Sequence, residues 1–198
     1  IAIKAALTGH LVMSTLHTNS APETVTRLLD MGLEPFNVAS ALNIVLAQRL
    51  VRRICNNCKT HYAADPDEMR ALKIPEDATF RSMQFTEEAV ENAKKTATKH
   101  AKPFSDEYTF DTRLWDMTFF KGAGCDACNG SGLKGRQGIY EVMAMSQRLR
   151  KLILQNVGAQ EIKEAAVEDG MLTLRMDGLL KIMKGITTVE QVVRETSS

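Results

Sequence analysis

Two Cys-x-x-Cys pairs, Cys55 with Cys58 and Cys125 with Cys128, contain all 4 thiols of a chain of 198 residues. A pair at this spacing lets both sulfurs of one tight turn converge on a point. Two such turns supply the four thiolates of a tetrahedral zinc site. A fold that uses them together must bring positions 55 and 128 side by side and close residues 59–124 into an excursion. A pair of disulfides or a redox dithiol would use the same residues. Disulfides belong to exported chains, and a redox site needs only one pair. The spacing predicts structural zinc on Cys55, Cys58, Cys125 and Cys128. Four thiolates leave no open coordination position, so such an ion holds structure and acts on no substrate. Gly130 and Gly132 follow the second pair, freeing the backbone to wrap so that amide N–H groups point at sulfur.

Within the excursion, Asp65 and Pro66 start a helix that ends before Pro75. Thr86, followed by two glutamates, opens another that runs to the lysines before Pro103. The aromatic stretch "FSDEYTFDTRLWDMTFFKG" alternates enough for one or two short strands. Trp115, Phe119 and Phe120 read as a local core, with too few interleaved cations for base stacking. His61 and His100 are not needed as ligands, because the cysteines complete the set.

Ahead of the excursion, "IAIKAAL" predicts a helix, Thr8-Gly9 a turn, and "HLVMSTLHT" a buried strand with His10 and His17 at its ends. Ligands of open α/β sheets bind beyond the carboxyl ends of strands, which makes His17 a phosphate-facing candidate and places His10 at the other end. An ordinary hydrogen-bonded histidine is the alternative for each. Ser20, Pro22, Glu23 and Gly32 mark cap, first turn and terminator of a helix. A longer helix is expected from Phe36 to Arg53, with Val38, Leu42, Val45, Leu46 and Leu50 on one face and Arg49, Arg52 and Arg53 at its negative end. After the second pair, "GIYEVMAM" predicts a strand. Three or four helices follow, with Leu149, Leu152 and Ile153 on one face and Leu172, Met176, Leu179 and Met183 on another. Thr187 or Thr188 is expected to cap the last of them.

A net charge of +1 argues against a sequence-independent grip on nucleic acid, so a zinc-stapled nucleic-acid binder is disfavoured. No apolar run approaches the roughly 18 residues of a membrane-spanning helix. The first residues lack an initiator Met and a basic leader, and read as the middle of a helix in a longer protein.

The stretch from "AALTGHLVMSTLHTNSAPETVTRLLDMGLEPF" through "NIVLAQRLVRRICNNC" resembles the type II secretion and type IV pilus assembly ATPase family. So do "GCDACNGSGLKGRQGIYEV" and "GMLTLRMDGLLKIMKGITTVEQVV". The resemblance covers nearly the whole chain outside the excursion, and its wording is nearer the pilus extension motor than the secretion motor. It implies an α+β fold: the C-terminal part of a RecA-like domain (1–54), a tetracysteine zinc element with a long insertion (55–128) and a helical subdomain (129–198). It implies a homohexamer that hydrolyses ATP with Mg2+ in the cytoplasm and moves an inner-membrane platform protein. His17 would lie near the terminal phosphate with His10 as companion. No G-x-x-x-x-G-K-[ST] occurs in the chain, so these residues alone are expected neither to bind ATP tightly nor to hydrolyse it. A single Cys-x-x-Cys-x-Gly-x-Gly unit over 125–132 also resembles the DnaJ-type chaperone zinc domain. A stand-alone zinc adaptor is the rival reading.

Overall fold

A computed structural model describes residues 1–97 and 108–197. In chain order its helices are α1 (Ala2–Leu7), α2 (Ala21–Asp30), α3 (Pro35–Ala41), α4 (Pro66–Ala71), α5 (Glu87–Lys95), α6 (Gln147–Leu154), α7 (Ala159–Glu168), α8 (Leu174–Met183) and α9 (Val189–Thr196). Its strands are β1 (Ile44–Ile54), β2 (Lys59–Ala63), β3 (Thr118–Gly122) and β4 (Leu133–Ala144). β1 pairs with β4, and β2 with β3. The fold is mixed α+β. Two compact units are each drawn from separated segments: residues 1–47 with 140–173, and 48–139 with 174–198.

In the first unit, α2 forms as its signals dictate. Ser20 Oγ accepts the Glu23 N–H at 3.4 Å, Pro22 sits in the first turn, and Glu23 lies at the positive end. Gly32, at φ +83°, follows it in the left-handed region open to glycine. Ser146 caps α6 by accepting the Leu149 N–H at 3.1 Å. The inner faces of these helices meet in one core of Val25, Leu28, Val38, Val45, Met143, Leu149, Ile153 and Ile162.

Two expectations fail here. The helix predicted from Phe36 to Arg53 stops at Ala41, and Ile44–Ile54 is strand β1. Leu42 already has extended backbone, φ −76° and ψ 131°. Val45 and Val51 are buried while Ile44, Leu46 and Leu50 are half or more exposed, a period of two instead of 3.6. β-branched residues and a partner in β4 outweigh the helical spacing. Arg49, Arg52 and Arg53 therefore lie on a strand and cap no helix. The strand expected over "HLVMSTLHT" is also absent. Residues 10–18 take no regular structure, and Leu11 and Met13 are each 88% exposed. A strand exists only through its neighbours, and among the described residues β1 to β4 pair only with one another.

In the second unit, β2 and β3 pair antiparallel with Lys59 opposite Gly122 and Ala63 opposite Thr118. Asp65 caps α4 by accepting the Asp67 N–H at 2.7 Å, and Thr86 caps α5 by accepting the Ala89 N–H at 3.2 Å. The end expected for this second helix, with His100 and Pro103, lies outside the described residues. More of this segment is buried than the aromatic reading held: Phe119 and Phe120 are buried, as are Met69, Leu72, Phe80, Leu114 and Met117, and Phe120 packs with Ile54. Trp115 is half-buried and donates to the Ile74 carbonyl at 3.2 Å.

Helix α8 buries Met176, Leu179, Leu180, Ile182 and Met183, more sides than a single amphipathic face. Helix α9 has no side-chain cap. Thr187 Oγ1 instead donates to the Arg52 carbonyl at 2.8 Å. Among the described residues no helix is long and apolar enough to cross a membrane.

Candidate metal centre and histidine cleft

Cys58 immediately precedes β2, and Cys125 follows β3 by three residues. Pairing the two strands therefore carries one knuckle to the other. The Ala123 N–H donates to the Cys58 carbonyl at 2.9 Å, extending that ladder, and the Cys55 N–H donates to the Gly132 carbonyl at 2.9 Å. The two backbones approach so closely that a Cβ on Gly122 would lie 2.1 Å from the Gly132 oxygen. Only glycine fits there.

The four Sγ atoms lie within 4.8 Å of one another. Cys55 and Cys125 are 3.9 Å apart, Cys58 and Cys128 also 3.9 Å, and Cys125 and Cys128 3.8 Å. Four sulfurs about 2.3 Å from one ion would stand about 3.8 Å apart at the corners of a tetrahedron. A disulfide needs about 2.05 Å, and all four cysteines are free. The set is thus arranged to hold a metal ion. Backbone N–H groups point at sulfur as the glycines allow: Cys125 N–H and Gly132 N–H each donate to Cys128 Sγ at 3.2 Å. Burial pushes the Cys58 thiol up to about 11. Burial works the same way on Cys128, but those two N–H donors and the Cys125 and Cys58 thiols outweigh it and bring that group down to about 6. Closely packed thiols cannot all ionise unless a cation offsets their charge. His61 lies on β2 opposite Phe120, and the metal-capable cluster found among the described residues consists of the cysteines.

The histidines are placed otherwise. His10 is exposed, its Nδ1 3.1 Å from Thr8 Oγ1. His17 lines a polar cleft of about 390 Å³ with Thr18, Asn19, Glu23, Thr26, Arg27 and Asp30, a set that does not include His10. The loop beneath His17 is tied to α2: Thr18 Oγ1 lies 2.9 Å from Thr24 Oγ1, and the Asn19 N–H donates to Glu23 Oε2 at 3.1 Å. Arg27 and Asp30 escaped the sequence reading. Their signal is the helical spacing Glu23, Arg27, Asp30, one polar stripe on α2.

Comparison with known proteins gives the same direction. The model of the family "Type II/IV secretion system protein" matches residues 1–194. The type IV pilus assembly ATPase PilB of Thermus thermophilus is 41% identical over 196 residues, 99% of this chain and 18% of that protein. PilB of Myxococcus xanthus is 41% identical over 199 residues, 100% of this chain and 29% of its own length. The type II secretion system ATPase E of Vibrio cholerae is 37% identical over 196 residues, 99% of this chain and 31% of its length. The chain thus spans less than a third of each of these curated relatives. It belongs to the type II/IV secretion system protein family.

Proposed function

We propose that this chain is the C-terminal portion of a hexameric motor ATPase that powers type IV pilus assembly, with the four cysteines holding a structural zinc ion. The observation that carries the reading is the 41% identity to two pilus assembly ATPases over essentially the whole chain. The corresponding figure for a type II secretion ATPase is 37%, which favours the pilus motor.

In this reading residues 1–54 complete a RecA-like nucleotide domain, and residues 129–198 form a helical lever. The phosphate loop and the acidic magnesium ligands come from other parts of the motor. Phosphoryl transfer to water proceeds mainly by positioning and charge stabilisation. His17, which lines a polar cleft, meets the γ-phosphate and senses its departure. A group that changes partner when the phosphate leaves biases a two-state arrangement of the domain. The zinc ion, when bound, would supply cross-linking of the two knuckles and no Lewis-acid chemistry, because its four positions are filled by sulfur. The motor would act on an inner-membrane platform protein.

Three measurements test this. His17→Ala in the full-length motor lowers ATP turnover by about ten- to a hundred-fold while circular dichroism stays unchanged. Unchanged turnover removes His17 from the reaction. Calorimetry on the present chain detects no micromolar ATP binding, and such binding would overturn the view that the phosphate cradle lies elsewhere. Elemental analysis finds one zinc per chain, and a Cys125→Ser, Cys128→Ser pair loses it.

A further inference from the structure

The loop that carries His17 is held from a distant part of the sequence. Glu141, on β4, is 2% exposed, and its Oε1 accepts the N–H of Ala21 at 2.7 Å. Ala21 is the first residue of α2 and is fully buried. Its N–H is one of those a helix leaves unpaired at its start, and no water reaches it. A buried carboxylate persists only where donors and positive potential compensate it, and the N-terminus of a ten-residue helix supplies both. Three residues, Thr18, Asn19 and Ser20, separate His17 from this anchor, and each bonds to the first turns of α2. A constraint on Ala21 is therefore transmitted to His17 through a short, tied segment.

We propose that Glu141 is a positioning residue for His17. Its carboxylate clamps the first turn of α2, and the 18–20 loop carries that clamp to the imidazole. The proposal rests on the reading of His17 as the residue that meets the γ-phosphate. It predicts that an acceptor oxygen at position 141 matters more than the charge, because a glutamine carbonyl accepts the same N–H.

The test is a double-mutant cycle in the full-length motor, joined to hydrogen exchange on the present chain. Glu141→Ala speeds exchange of the Ala21 amide by about ten-fold or more, and Glu141→Gln keeps it within about three-fold of the native rate. Glu141→Ala lowers kcat by about ten-fold with KM for ATP within about two-fold, Glu141→Gln recovers most of the loss, and Glu141→Ala in a His17→Ala background costs less than about two-fold more. Should Glu141→Ala not fold, Glu141→Asp, which withdraws the carboxylate by one methylene, replaces it in the cycle. Native exchange at Ala21 overturns the proposal, as does an equal loss of kcat with and without His17. A His17→Ala motor with native turnover overturns the His17 reading instead, and Ala21 exchange then decides the clamp by itself.

Discussion

A single methyl group at position 122 would intrude on the backbone of the second knuckle. The contact of 2.1 Å with the Gly132 oxygen is far inside van der Waals range, and the atom it meets is backbone, which cannot swing aside. Gly122→Ala should cost about 1–3 kcal/mol and lower the metal content of the purified protein; full metal occupancy would count against the geometry. Tyr62 offers a second test. Its hydroxyl donates to Glu68 Oε1 at 2.8 Å, while Glu68 Oε2 is buried with no hydrogen-bond partner among the described residues. Tyr62→Phe should therefore destabilise by about 1–3 kcal/mol at neutral pH. Burial pushes the Tyr62 phenol above its usual range, aided by its hydrogen bond to Glu68 and by the charges of Glu68 and Asp65. Lys121 faces the same ring at 5.0 Å, and its positive charge favours the phenolate without outweighing burial. The folded state thus holds this proton more tightly than the unfolded chain. Its contribution is whole below about pH 10 and fades as pH rises beyond that. Between about pH 9.5 and pH 11.5 the melting temperature should fall further for the native chain than for Tyr62→Phe. Equal falls would clear Tyr62 of the effect.

The excursion and the final helices belong to one compact unit. Met69, Phe80, Leu114 and Phe119 are each fully buried, and Phe80 meets Phe85 edge to face with centroids 5.4 Å apart. Phe80→Ala should cost about 3–5 kcal/mol. Its effect should concentrate in α4, α5 and the β2–β3 ribbon, so amide protection of Ile153 and Ile162 stays native. Loss of protection there would show that the excursion has no core of its own. The α8–α9 pair depends on Gly178, where an added Cβ would lie 2.5 Å from Val192 Cγ1. Gly178→Ala should cost about 1–3 kcal/mol by overpacking, and Val192→Ala in the same chain should recover part of it on a denaturant curve.

For the whole molecule, the question is what a metal on the four cysteines would hold up. In small peptides zinc binding contributes about 10–16 kcal/mol and is the folding energy itself. Here the first unit has a core of aliphatic side chains, and in the excursion Met69, Phe80, Leu114 and Phe119 are fully buried. A chelator should therefore raise exchange in β2, β3 and the two knuckles and leave α2, α6 and α7 protected. Exchange rising across every helix would mean that the ion supports the entire fold.

The four cysteines were legible from spacing alone, because a C-x2-C turn is local chemistry that repeats wherever it occurs. So were α2, α4 and the start of α5, whose caps, prolines and acidic first turns act within a few residues. Residues 44–54 were not, since their apolar positions satisfy both a period of 3.6 and a period of two, and only pairing with β4 selects the second. "HLVMSTLHT" has the composition of a strand, but composition supplies no neighbour to pair with. Glu141 carries no local signal of its role in "GIYEVMAM". It became notable once the fold set it 2.7 Å from a helix start 120 positions earlier in the chain. Residue chemistry and local backbone preference thus determined the cysteine pairs and the capped helices. Tertiary structure decided which ambiguous run became a strand and which buried carboxylate met a donor, because both depend on partners that are distant in sequence.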